Sequence, residues 1–284
     1  MSAYRPGSLL RRLLTAGTPP ILLRLLERPQ ARVYERPQSA GVDWFAYQDP
    51  RIVEVVAQKT AAYRRELENK DTRTVEARQV AQDMFVVAHV SAQKAVSVLE
   101  LGGACGASYF EQAWLQPQRV KAWSVVETPP MAAAGRRAFA DERLTFSSDV
   151  GEAVARIAER NLLLAKGVLQ YLPDPLGTLD ELFRLSFDHV YVTRTEISAG
   201  LDRPVVLVRT VDLALHGPGS IPAGFRNGVS SVPTTIVPQA SLLARIPTGY
   251  RVAYVFDEGA HGWIRVGGRK VETRMVGFLA DKTG

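Results

Sequence analysis

Residues 98–110 read Val98-Leu99-Glu100-Leu101-Gly102-Gly103-Ala104-Cys105-Gly106-Ala107-Ser108-Tyr109-Phe110, and Val125-Val126-Glu127 follows. Val96, Val98, Leu99 and Leu101 make an apolar run of strand length with polar neighbours, which suits a buried parallel strand ending at a tight turn. Gly102, Gly103, Ala104 and Gly106 form that turn, where the backbone bends sharply and must approach a ligand to contact distance, so small residues are needed. Ala107 to Leu115 then opens a helix whose free N–H groups face the ligand. Strand, turn, helix and a second strand over residues 119–126 predict a doubly wound α/β unit.

The second strand ends in Glu127. An acid at that point accepts hydrogen bonds from two ribose hydroxyls, which suits NAD and S-adenosylmethionine (SAM) equally. Two details favour SAM. Glu100 stands just before the first glycine, where a carboxylate suits a cationic methionyl group and would repel a pyrophosphate. The spacing Gly102, Ala104, Gly106 also replaces the G-x-G-x-x-G of dinucleotide binders. The plain alternative is a βα turn that binds nothing.

At 284 residues the chain can bury one large α/β core with a smaller helical element. Its 46% hydrophobic and 23% charged residues are ordinary for a globular protein and argue against disorder. The single cysteine, Cys105, excludes an intrachain disulfide and a cysteine-cluster zinc site, and no metal is expected. It reads as a small apolar filler of the turn or a reactive thiol, and fits a reducing cytoplasm. The net charge of +6 is concentrated at the start, where Arg5, Arg11, Arg12, Arg24, Arg28, Arg32 and Arg36 face Glu27 and Glu35. Leucines interleave with these arginines, as at Leu9, Leu10, Leu22 and Leu23. That pattern fits the acidic surface of a membrane or a partner groove better than nucleic acid, which calls for aromatic platforms; packing on the protein's own core is the alternative. Pro19-Pro20 and Arg24 interrupt the apolar run, so it cannot span a bilayer. No small-residue cleavage site follows. The expected location is cytoplasmic, with peripheral contact at the inner membrane through residues 1–36.

Three regions are expected: a basic extension over 1–45, a helical cap over 46–93 and a ligand-binding domain over 94–284. Ile52, Val55, Val56 and Tyr63, and then Val80, Met84, Val87 and Val90, recur at helical spacing, with a break at Asn69-Lys70-Asp71 and Asp71 or Thr72 as the next N-cap. Further strands are expected at 144–146, 161–165, 189–193, 251–256 and 274–279. Asp174-Pro175 reads as a helix start. Residues 198–240 are rich in Gly, Pro and Ser, and are expected to form a loop-rich insertion over the pocket mouth. Asp149 is placed either to hold an adenine amino group or to cap a helix over 151–160.

Over residues 80–282 the chain resembles the class I SAM-dependent methyltransferases. More narrowly, it is similar to methyltransferases associated with bacterial surface-polysaccharide biosynthesis. The narrower match rests on Thr18-Pro19-Pro20-Ile21-Leu22, residues 99–110, residues 123–129, Leu169-Gln170-Tyr171-Leu172-Pro173-Asp174-Pro175 and Arg194-Thr195. The resemblance implies a Rossmann-like sheet of seven strands whose last two form a hairpin, preceded by a helical extension. It implies SAM held by Glu100, Gly102, Gly103, Ala104 and Gly106 on the methionine side, by Glu127 at the ribose, and by Asp149 at the adenine. Lys166 and Gly167, at the end of the fourth strand, complete the expected cofactor site. Ala104 stands where the family has a glycine, and Asn161 where the fourth strand often begins with an acid.

Methyl transfer from a sulfonium is an in-line displacement, so positioning dominates and can lower the barrier by ~7–11 kcal/mol. A base is needed where the acceptor is a hydroxyl. His216 and His261 lie in glycine-rich stretches and are the candidates, with exposed loop histidines as the alternative. Gln170 and Tyr171 follow the fourth strand, where they can position an acceptor or wall its pocket. Arg194 ends the fifth strand, where it can clamp a phosphate or carboxylate or pair with Glu196 or Asp174. The expected activity is O-methylation of a carbohydrate or other small polar metabolite in envelope glycan assembly. Two rival readings are a non-catalytic module docking through its N-terminus and, from the pI near 9.5, an RNA methyltransferase. The latter lacks an Asn/Asp-Pro-Pro-Tyr/Phe signature.

Overall fold

Apolar residues on both faces of five short runs dictate a sheet covered on both sides. In the computed structural model, which describes residues 32–34, 43–69, 78–219, 221–225 and 227–283, these runs are β2 (Val96–Leu101), β3 (Val120–Val126), β4 (Leu144–Ser147), β5 (Leu162–Lys166) and β6 (His189–Ser198). They pair in parallel in the order β4-β3-β2-β5-β6. β10 (Arg269–Lys282) adds antiparallel to β6, and β9 (Tyr250–Val266) antiparallel to β10. This is the expected seven-stranded sheet with a terminal hairpin. The hairpin strands run well beyond the predicted 251–256 and 274–279, because pairing continues to the Gly267-Gly268 turn.

The period-2 alternation of β5 shows how the two faces are filled. Leu162 and Leu164 join one buried cluster, and Leu163 and Ala165 the other. The first cluster is closed by α1 (Pro50–Glu68), α2 (Arg78–Val90), α3 (Ala107–Leu115) and α4 (Pro129–Phe139). The second is closed by α5 (Val150–Arg156), α6 (Pro175–Arg184) and α7 (Gln239–Leu243). α1 starts at Pro50 behind Asp49, whose Oδ1 accepts the Arg51 N–H at 2.8 Å, and buries Ile52, Val55, Val56 and Thr60 at three-to-four spacing. α6 starts as its sequence predicts, with Asp174 Oδ1 accepting the Gly177 N–H at 2.9 Å. Asn161 takes a structural part at the foot of β5, where its Oδ1 accepts the Ser97 N–H at 3.0 Å.

The 198–240 stretch departs from expectation. Its Gly, Pro and Ser content marks bends, but β7 (Val205–Asp212) and β8 (Val229–Pro238) pair along eight residues as an antiparallel ribbon. β1 (Arg32–Tyr34) pairs with β7 on the ribbon's outer side. β8 meets the main sheet through Ile197 and Ser198 of β6.

β6 therefore changes partner part-way. Its first half pairs with β5 as far as Thr193, and its end pairs with β8. Between them Arg194 has φ +54, and β10 answers with a register shift at Gly277. A Cβ at Gly277 would lie 2.8 Å from the Val192 carbonyl oxygen, so glycine is required for this close approach. Glu258 on β9 ties the kink down by accepting the Arg194 N–H at 2.8 Å and the Thr193 hydroxyl.

The arginine–leucine stretch up to Ala31, its expected membrane contact and the expected N-cap at Asp71 or Thr72 lie outside the described residues. Among the described residues no helix is long and apolar enough to cross a membrane.

Candidate cofactor and acceptor site

The turn after β2 is built from left-handed backbone. Gly102, Ala104 and Gly106 have φ of +70, +51 and +84. Ala104 thus holds the conformation a glycine would adopt, with the steric cost an L-residue carries there. A Cβ at Gly102 would lie 2.4 Å from Val168 Cγ2, so this glycine lets the loop after β5 close over the turn. A Cβ at Gly103 would lie 2.5 Å from Glu100 Oε2.

Glu100 lies beneath the turn, fully buried, with Oε2 accepting the Trp123 indole N–H at 2.8 Å. Burial pushes its carboxyl up to about 7, against the opposing effects of the Ser108 hydroxyl, Lys166 and Trp123. Glu127, at the end of β3, folds back on the turn. Its Oε1 accepts the Ala104 N–H at 2.9 Å and its Oε2 the Thr128 N–H at 2.8 Å. Burial raises its pKa more than these two hydrogen bonds lower it.

Asp149 caps α5, with Oδ1 accepting the Glu152 N–H at 2.7 Å; the helix ends at Arg156, short of the predicted 160. Lys166 is tied to neighbouring carboxylates. Its Nζ lies 2.6 Å from Asp83 Oδ2 and 3.9 Å from Glu111 Oε2. Burial alone would lower this ammonium, but the two carboxylates outweigh it and the net shift is upward. The Tyr63 hydroxyl donates to Glu111 Oε1 at 2.8 Å, while buried Glu111 Oε2 has no hydrogen-bond partner. Gly167 has φ +62, the left-handed backbone that favours glycine, and lies against the Arg194 side chain.

Past the end of β5 the structure brings together Tyr171, His216 and a residue that sequence reasoning missed, Tyr47. The Tyr47 and Tyr171 rings are 5.1 Å apart, and His216 meets Tyr47 edge-on at 5.6 Å. Burial, followed by Tyr171 and the Glu127 charge, holds the Tyr47 hydroxyl protonated. His216 is buried, contrary to the exposed-loop alternative. It follows a short 3-10 turn over Leu213–Leu215, its Nε2 lies 3.0 Å from Ser230 Oγ, and burial and then Lys59 lower its pKa. His261 is on β9 rather than in a loop, 3.9 Å from Glu196, and joins a different group. Arg194 pairs with neither Glu196 nor Asp174. Glu196 is fully buried and takes Arg209 bidentately at 2.6 and 2.7 Å. Gln170 is buried and its Oε1 has no hydrogen-bond partner.

Tyr47, Asp83, Glu111 and Glu258 gave no motif signal. Asp83 was detectable in principle, since an acid beside Met84 interrupts the apolar face of α2. No described cluster of His, Cys, Asp and Glu could hold a metal ion.

No protein-family model and no curated protein sequence matches the chain. Several solved structures follow a similar course. A SAM-dependent methyltransferase from Clostridium acetobutylicum is 10% identical, with a TM-score of 0.48 over 80% of this chain and 99% of its own. A SAM-bound amino pentose methyltransferase from Micromonospora echinaspora, involved in calicheamicin biosynthesis, is 14% identical, with a TM-score of 0.44 over 78% and 95%. Magnesium protoporphyrin IX methyltransferase from Synechocystis, with bound SAM, is 11% identical, with a TM-score of 0.39 over the full length of both chains. At these scores none of them bears on substrate or residue roles.

Proposed function

We propose that this protein is a SAM-dependent methyltransferase that O-methylates a carbohydrate or other small polar metabolite in cell-envelope glycan assembly. The observation that carries the cofactor is the contact of Glu127 with the Ala104 N–H. It brings a strand-end acid and a turn of left-handed residues to one point at the C-terminal edge of a parallel sheet, where open α/β sheets take nucleotides. The groups around this point suit SAM. Glu127 would accept the ribose hydroxyls, and Asp149, whose Oδ1 caps α5, would hold the adenine amino group through its other oxygen. Lys166, Asp83 and Glu111 offer both signs of charge to an amino-acid end, and Glu111 Oε2 is a buried acceptor that an ammonium would satisfy.

When bound, SAM supplies an electrophilic methyl group on a sulfonium. The chain's own residues then have to hold the acceptor and take its proton. Tyr47 and Tyr171 exclude water from the edge of β5, and His216 is the candidate base because its lowered pKa keeps the imidazole neutral near pH 7. Arg194 makes no ion pair among the described residues beyond its electrostatic interaction with Glu111, and would meet an anionic substituent carried outside the acceptor ring. Residues 1–36 would bring the enzyme to an acidic membrane surface.

Calorimetric titration with S-adenosylhomocysteine tests the cofactor reading. Saturable binding by the wild type, weakened about 10-fold or more in Glu127→Ala, is expected, because a hydrogen bond to a charged group is worth ~1.5–3 kcal/mol. Absence of binding, or equal binding by the variant, refutes it. Retained binding without methyl transfer to any hydroxylated acceptor would favour the docking-module reading.

A further inference from the structure

A cavity of about 380 Å³ opens beside the 3-10 turn of residues 169–171. Trp44, Pro173, Pro204 and Thr235 are among the residues that line it. Another cavity, of about 280 Å³, lies at the opposite edge of the sheet, where Asn161 and His189 begin their strands. The larger one is on the side of Tyr171 and therefore on the side from which a methyl group would leave.

Gln170 Oε1, Thr195 Oγ1 and Thr235 Oγ1 are buried without hydrogen-bond partners, and of these residues Thr235 lines the cavity. Their residues are 3%, 1% and 1% exposed. The fold places them together. β6 and β8 pair in parallel at Ile197–Val237 and Ser198–Pro238, and counting two residues back along each strand brings Thr195 and Thr235 level. Alternation puts both on the face of Ile197 and Val237, which pack in one cluster with Leu169. The 3-10 turn carrying Gln170 packs against β8 and β6. Leaving one such group unpaired costs ~1–3 kcal/mol, so three in one place require an explanation.

The chemistry of the wall narrows the ligand. Indole and proline rings give C–H and π surface, while the unpaired groups offer neutral hydrogen bonding. Asp174, the charged residue on the wall, caps α6 through Oδ1, and its carboxylate disfavours an anionic ligand. A ligand with an apolar face, a hydroxyl rim and no formal charge is complementary to such a wall. The volume is at the small end of the ~300–1,000 Å³ usual for ligand pockets, which suits one ring.

We propose that this cavity, with Thr235 on its wall and Gln170 and Thr195 beside it, is the acceptor subsite and takes a single neutral pyranose ring. The assignment rests on the methyltransferase reading for its role as an acceptor site, though not for sugar binding itself.

The test uses D-fucose and D-glucose as probes, titrated by saturation-transfer NMR with and without S-adenosylhomocysteine, on the full chain and on Thr235→Val and Gln170→Leu. Both substitutions remove an unpaired buried group at similar volume, so thermal stability should hold or rise. Saturable binding by the wild type, weakened about 2- to 12-fold in each variant at unchanged stability, is expected from the worth of one neutral hydrogen bond, ~0.5–1.5 kcal/mol. No saturable binding of either sugar, or equal binding by wild type and variants, overturns the subsite. Sugar binding in a protein that does not bind S-adenosylhomocysteine would keep the subsite and remove its methyltransferase role. The reverse result would keep the cofactor and remove the subsite.

Discussion

Glu100→Gln isolates the energetic consequence of placing a carboxyl beneath the glycine turn. The side chain keeps its shape, and an amide oxygen can still accept from the Trp123 indole. What disappears is the charge. Burial moves the wild-type carboxyl from 4.5 to about 7, a displacement equivalent to about 3 kcal/mol. The sign follows from proton uptake. Below pH 4.5 the carboxyl is protonated in both folded and unfolded chains and costs nothing. Between pH 4.5 and about 7 the folded state holds a proton that the unfolded state has lost, so stability falls as pH rises. Above pH 7 the full penalty is in place. Urea unfolding of wild type and Glu100→Gln from pH 4.5 to 8 should therefore give curves that separate with rising pH. The variant gains up to about 3 kcal/mol at the alkaline end, less the cost of its unpaired amide N–H. Parallel curves would refute the reasoning, since they would mean the buried carboxyl titrates at its ordinary pKa. A cation bound over the turn should favour the ionised carboxyl, so S-adenosylhomocysteine, which has lost the sulfonium charge, should show a flatter pH dependence of affinity than SAM.

Ala104→Gly should raise stability by up to about 1 kcal/mol in the same unfolding assay. It relieves ~1–2 kcal/mol at φ +51 and gives back part of that as unfolded-state entropy; a loss would show that the Ala104 methyl is needed for packing. Asp83→Asn should cost about 3 kcal/mol by urea unfolding, the lower end for a broken buried pair, because Glu111 remains 3.9 Å from Lys166. A change below 1 kcal/mol would show that Glu111 replaces Asp83 outright. Asp174→Ala should cost ~1 kcal/mol through loss of the α6 cap, and Asp174→Asn should recover most of it.

What the sequence carried about this fold was local. The apolar run, its small-residue turn and the Asp174-Pro175 start each act within a few residues, and all three formed where their chemistry required. The ribbon was partly legible as well, since Val205-Val206-Leu207-Val208 and Thr234-Thr235-Ile236-Val237 are runs rich in β-branched residues. Their Gly- and Pro-rich surroundings outweighed that signal. The Asp83–Lys166–Glu111 group was not legible, because α2, α3 and β5 meet only once the sheet has formed. Tyr47 is a similar case. Nothing in its neighbours says that the 3-10 turn over Ala46–Gln48 will lay its ring against Tyr171, some 120 residues away. His261 was misplaced because glycines, usually signs of a loop, are here accommodated within a long twisted hairpin.

The partner change of β6 at Arg194 makes the molecule modular. Upstream of it lie the strand ends around the turn after β2; downstream the ribbon joins the sheet by the short pairing at Ile197 and Ser198 and packs Leu213 into the core beneath α1. Glu258 and Gly277 clamp the junction, while Lys59 Nζ, 2.7 Å from the Ala214 carbonyl oxygen, ties the ribbon's far end to α1. Under the function proposed above, change in the ribbon would retune the acceptor while the strand ends that hold the donor keep their places, and the junction is where sequence change should be least tolerated.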